Sequence, residues 1–345
     1  MFREFISLSL YYFLFFTLIG DYVIFLPKYL SNFLTPFQIG FVFAMMPIAR
    51  FIGPFLFLKR AITKKIFLLA IITSTLFSTL ILTHNFYLIS ISMFFIGISF
   101  SIIFPYIEAI AVEKLSTKYG QTRLFGSLGF MLFGILASYI KIDIPFSFII
   151  FLVLSNLIAL TFLDNIEVKK EHKSIDFKKE FRFWLSVILL QISFGAFYNF
   201  FTIYLLNHNL QKEYIGWLWA IGVSAEIVVF LTQHLFLNRL SPIQWMKISL
   251  LLTAIRWFIL YYFANNLILI ALSQTIHAFS FAIFHTAAIL YLSQKYENKI
   301  LAQQFFSGIS YGIAAFLGSI LSGIIYSDYM FLYESFISFL GFLIL

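Results

Sequence analysis

The fold class the sequence predicts is an all-α polytopic membrane protein, with twelve transmembrane helices in two pseudo-symmetric six-helix bundles. Three observations carry that expectation. Of the 345 residues, 61% are hydrophobic and only 11% are charged, against about a quarter charged in soluble domains. Apolar runs of about 20 residues, the length of a bilayer crossing, recur from end to end without the alternation a membrane β-barrel requires. One long polar stretch, residues 164–182, separates six such runs from six more.

In chain order, α1 is expected at Phe5–Phe33, with Asp21 inside it. It follows Met1–Glu4, is too long for a removable signal and lacks a small-residue cleavage site, so it reads as a permanent span. Next come α2 (Phe37–Leu58, with Pro47, Arg50 and Pro54), α3 (Ile66–Leu82) and α4 (Phe86–Val112, with Pro105 and Glu108). The prolines mark places where a helix can kink. α5 starts near Arg123 and ends near Ile140, and α6 covers Ile144–Leu163. After the polar stretch come α7 (Phe183–Leu206), α8 (Tyr214–Phe236, with Glu226) and α9 (Trp245–Phe263, with Arg256). α10 (Leu267–Ser293) carries His277 and His285, and α11 covers Ala302–Tyr326. α12, Met330–Leu345, sits near the short limit of a span, either little tilted or curtailed, and its Glu334 is given no role. Gly126, Gly129 and Gly134 in α5, and Gly308, Gly312 and Gly318 in α11, are small enough to let helices touch. The domains expected are 1–163, a cytoplasmic linker 164–182, and 183–345.

Lysine and arginine set the orientation. Eighteen of the 23 fall at the N-terminus, in alternate loops or in the linker; Lys28, Lys141 and Lys212 fall on the other face, and Arg50 and Arg256 lie within spans. Both termini are therefore expected in the cytoplasm, with the chain in an inner (plasma) membrane. The net charge of +8 is topology rather than a nucleic-acid footprint. The halves also repeat: a shift of 176 residues lays Ile39-Gly40 on Ile215-Gly216 and Arg50 on Glu226. Repeats with a site between them are typical of secondary transporters.

A charge inside a bilayer costs about 2.5–3.5 kcal/mol on insertion scales, so each one is paired or used. Arg50 either faces a cavity, where it can grip a carboxylate, or pairs with Asp21 or Glu108. Asp21 either binds a proton or cation, or pairs with Arg50. Glu108 is expected to pair with Arg123. Glu226, Arg256 and His277 lie on three consecutive spans, and an imidazole beside a glutamate can exchange protons. His285 is eight residues from His277, about 80° further round a regular helix, so the two make a poor metal pair. No metal site is expected. With no cysteine, no Walker A loop, no serine elbow and no zinc motif, neither an enzyme nor a cofactor is expected, and the driving force is a proton gradient.

Five stretches resemble the major facilitator superfamily, in its lactose-permease-like branch and most closely the phenylpropionate-permease-like group. They are FLPKYL with QIGFVFAMMPIARFIGP, YIEAIAVEKLSTKYGQTRLFGSLGF, IGWLWAIGVSAEIVVF, IRWFILYY with SQTIHAFSFAIFHTAAILYL, and QQFFSGISYGIAAFLGSILSGIIY. The resemblance covers nearly the whole chain. It implies alternating access, a polar cluster at Glu226, Arg256 and His277 that couples substrate to proton, and an acid–base pair, Glu108 and Arg123, at the substrate site. Two positions depart from the pattern. The permease's proton-carrying glutamate three residues after the histidine is Ser280 here, and LKRAITKKI replaces the usual α2–α3 loop. The function expected is proton symport of a small organic solute, with an aromatic or other carboxylic acid favoured because Arg50 and Arg256 offer carboxylate receptors. A sugar or nucleoside symporter, an exporter, and a non-transporting membrane protein of the same fold are the alternatives. The partners expected are the solute, protons and lipid, for a monomer.

Overall fold

Local chemistry fixes where the helices begin. Asn85 opens α4 by accepting from the amides of Tyr87 and Leu88. Ser241 and Gln244 form a capping box ahead of Pro242 in α9, and Asp143 caps α6. Each cap takes up amides that a helix start leaves without intrahelical partners.

The computed structural model describes residues 2–56, 63–163 and 180–345. Among the described residues, ten helices are long and apolar enough to cross a membrane: α1 (Phe2–Leu30), α2 (Pro36–Leu56), α3 (Lys64–Thr83), α4 (Phe86–Leu115), α5 (Tyr119–Tyr139), α7 (Phe181–Asn207), α8 (Lys212–Leu235), α9 (Pro242–Tyr262), α10 (Leu267–Lys295) and α11 (Leu301–Ile324). Two shorter apolar helices, α6 (Ile144–Leu160) and α12 (Met330–Ile344), complete the expected twelve. α5 starts four residues before Arg123, which places Arg123 in a helix rather than at its end. The expected end of α2 at Leu58, the start of the LKRAITKKI stretch and residues 164–179 of the expected linker lie outside the described residues.

The chain divides into two units, Met1–Lys170 and Glu171–Leu345. In the first, α1 packs on α5 and α6, α4 on α2 and α3, and α3 on α6. In the second, α7 packs on α11 and α12, α10 on α8 and α9, and α9 on α12. Every one of these pairings recurs six helices later, so the repeat read from two dipeptides is a repeat of the packing. Without water to drive them together, such helices rely on close contact and hydrogen bonds. A Cβ on Gly129 would collide with the Phe13 carbonyl of α1, and one on Gly195 with the Gly318 carbonyl of α11. Asn156 of α6 donates to Ser74 of α3 at 3.0 Å, and Asn199 of α7 to Ser322 of α11 at 3.0 Å.

Pro47, Pro54 and Pro105 sit inside unbroken α-helix. The irregularities fall elsewhere. Wide π-type turns occupy Asp21–Phe25 in α1, Phe279–Ile283 in α10 and Ile309–Ala314 in α11, and α7 is interrupted at Ser193 and Phe194. Such turns are frequent at functional sites.

The glycine contacts give a stability test. Gly129→Leu overpacks the α1–α5 contact and lowers stability by about 1–3 kcal/mol, whereas Gly120→Leu, with nothing within 4 Å of the new Cβ, leaves it unchanged. Thermal unfolding of the two variants in one detergent measures the contrast.

Candidate functional site

Three helices of the second unit converge on His277. α8 supplies Glu226, whose Oε1 lies 2.7 Å from His277 Nε2. α9 supplies Arg256, whose Nη1 lies 2.8 Å from His277 Nδ1 and whose Nη2 donates to Gln274 Oε1 at 2.9 Å. Arginine only donates, so Nδ1 must accept and the proton of the neutral ring sits on Nε2, pointing at the carboxylate. The arrangement is a relay, Glu226 to His277 to Arg256. The imidazole stands between Glu226 and Arg256.

Arg256 is fully buried, its Cζ 4.3 Å from the centroid of Phe197 and 4.5 Å from that of Trp257. Aromatic faces stabilise a desolvated guanidinium. Ser280 receives a hydrogen bond from Thr253 at 2.8 Å, so a hydroxyl pair occupies the place of the permease's glutamate. His285 bonds Tyr311 at 2.9 Å. The π-type turn changes the expected angle between the histidines, because its extra residue absorbs about 100° and nearly cancels the 80° offset. The rings of His277, Phe281 and His285 accordingly stack in sequence, 6.0 and 6.4 Å apart. A small cavity beside them is lined by Gln191, Tyr198, Ser280, Phe281, His285 and Tyr311, among others.

In the first unit the expected Glu108–Arg123 pair is present at 3.0 Å, and Tyr119 also donates to Glu108. Arg123 is partly exposed and lies over Phe16 at 4.9 Å, Tyr12 at 5.2 Å and Phe104 at 5.5 Å. Asp21 is fully buried and accepts from Ser147 of α6, while Glu108 is held by Arg123 and Tyr119. Arg50 is exposed. The contacts of Arg256 with His277 and Gln274 leave it closed to a substrate carboxylate in this conformation.

One buried acid escaped the sequence reading. Glu334, one turn into α12, is 1% exposed, and its Oε1 accepts from the amide of Ala196 just after the interruption in α7. The signal was present: it is the only charged residue in an otherwise apolar span. Among the described residues, no group of three or more histidines and acids is placed to hold a metal.

The model of the MFS_1 like family matches residues 5–338. The chain belongs to that family. It is 25% identical over 346 residues to a probable 3-phenylpropionic acid transporter of Escherichia coli (strain K12), covering 92% of this chain and 90% of the relative. A point mutant of the nucleoside transporter NupG superposes with a TM-score of 0.85 at 17% identity, over 99% of this chain and 98% of that one. A bacterial homologue of the iron transporter ferroportin gives 0.76 at 14%, over 99% and 97%. The chain shares the fold of these transporters, and it is a multi-pass membrane protein and a transporter of the major facilitator type.

The hydrogen-bond logic of the relay predicts a nitrogen NMR signature. With ¹⁵N-labelled histidine, the resonances lost in His277→Asn are expected to be those of a neutral ring protonated at Nε2. A proton found on Nδ1 contradicts the contact with Arg256.

Proposed function

We propose that the protein is a proton-coupled symporter that imports a small organic carboxylate, an aromatic acid in the first instance, by alternating access. The observation that carries the proposal is the Glu226–His277–Arg256 relay. Its arginine and histidine are buried and its glutamate is partly so, it spans three helices, and it contains a carboxylate hydrogen-bonded to an imidazole, which is the chemistry of proton exchange near neutral pH. A structural ion pair needs no histidine between its partners. The relative named for 3-phenylpropionic acid supports the substrate class.

The carboxylate receptor is assigned to Arg123 and Arg50 rather than to Arg256. Arg123 is partly exposed and holds Glu108 through one terminal nitrogen, and Arg50 is exposed in the same unit. Aromatic rings over Arg123 suit a substrate that carries a ring beside its carboxylate. Asp21 keeps a separate part, as a buried carboxyl tying α1 to α6 through Ser147. In the proposed cycle, residues 1–163 rock against 183–345 in the inner membrane, with both termini cytoplasmic.

Uptake of 3-phenylpropionate into proteoliposomes tests the reading. A protonophore is expected to collapse accumulation, and Glu226→Gln to abolish accumulation against a gradient while leaving exchange of labelled for unlabelled solute partly intact. Accumulation that survives the protonophore refutes coupling. Competition by nucleosides, but not by aromatic acids, reassigns the substrate.

A further inference from the structure

Glu334 is the buried acid that the relay does not use, and three observations point to its part. The first is charge. Arg256 is the cation of this cluster, and both Glu226 and Glu334 are electrostatically coupled to it. One guanidinium balances one carboxylate, and the imidazole, accepting at Nδ1, is neutral. With both glutamates ionised, the cluster therefore carries one uncompensated negative charge in the bilayer, and one proton cancels it.

The second observation is the hydrogen-bond count. Glu226 is held by the N–H of His277. Glu334 uses Oε1 to accept from Ala196, and its Oε2 is buried outside that bond. A buried carboxylate oxygen that is not fully hydrogen-bonded is expensive, and a proton on that oxygen is the simplest relief. The third is position. Glu334 of α12 reaches the amide of Ala196, in the first turn of the second half of α7. The first turn of a helix has amides without intrahelical partners, which attract an anion and hold a neutral acid less tightly. Next to those amides, Phe194 and Phe197 meet the His277 ring at 5.9 and 5.6 Å, and Phe197 lies under Arg256.

We propose that Glu334 is a second proton-exchanging carboxylate of the C-terminal bundle and a latch on the interruption in α7. It takes over from α12 the part that Ser280 of α10 cannot play. Ionised, it binds the amides that open the second half of α7; protonated on Oε2, it neutralises the cluster and weakens that hold, so proton binding is felt by the helix whose aromatic rings frame the relay. The inference rests on the proton-coupled reading above.

The test uses the full-length protein in proteoliposomes, with 3-phenylpropionate as probe, and reads proton uptake and solute accumulation together. Glu334→Gln keeps an oxygen for the Ala196 amide but cannot ionise. The variant is expected to exchange solute across the membrane and to lose accumulation against a gradient. In the wild type, an apolar carbodiimide, which reacts with protonated carboxyls in apolar surroundings, is expected to label Glu334, with labelling that falls as pH rises. Coupled accumulation by Glu334→Gln at the wild-type level overturns the inference and leaves the proposed function standing. Absence of labelling at every pH also overturns it, whether or not the variant folds. A wild type that takes up solute without protons overturns both readings together.

Discussion

Within a bilayer no water completes a hydrogen bond, so every charge and every interrupted helix turn has to be answered by another group of the chain. The interior of this protein is a set of such answers. Arg256 is answered by an imidazole, an amide oxygen and two aromatic faces. Glu108 is answered by Arg123 and Tyr119, and the freed amide of Ala196 by Glu334. Removing one partner of a buried set is more damaging than its net contribution suggests, because the other is left desolvated and alone. The polar residues are therefore best understood in sets rather than singly.

The sets respect the internal repeat without copying it. At the α1–α6 contact, an acid on the first helix accepts from a serine on the sixth; at the equivalent α7–α12 contact, the acid is on the last helix and accepts from the backbone of the seventh. Both contacts fall beside a departure from α-helical geometry, the wide turn at Asp21–Phe25 and the interruption at Ser193 and Phe194. A buried acid thus accompanies irregular backbone in both halves, while the helix that supplies it has been exchanged.

The helices were legible because a bilayer imposes length and apolarity on every span. Glu108 with Arg123 was legible because one follows the other across a single turn between helices. The relay was legible only as membership: Glu226, Arg256 and His277 were grouped correctly, yet spacing along a helix reports a face and not which side chain stands between two others. The stacking of His285 under Phe281 was hidden for a related reason, since a period of 3.6 residues fails wherever a helix takes in an extra residue, and nothing in FSFAI announces that it does. Glu334 was passed over because α12 is short and terminal. The better guide was its solitude, since one acid among apolar residues in a span is a functional candidate by default.

The two halves also hold different chemistry, and this bears on the proposed binding of an anion and a proton by one protein. In the N-terminal unit Arg50 is exposed and Arg123 partly exposed, and Glu108 engages Arg123 through one nitrogen. In the C-terminal unit Arg256 is sealed under aromatic rings and bonded to His277 and Gln274. An exposed guanidinium can exchange a protein carboxylate for a substrate carboxylate at modest cost. A sealed one cannot, but one proton is enough to neutralise it together with two neighbouring carboxylates. In the function proposed above, the anion receptor lies in one unit and the proton site in the other, and each is tuned by its own surroundings.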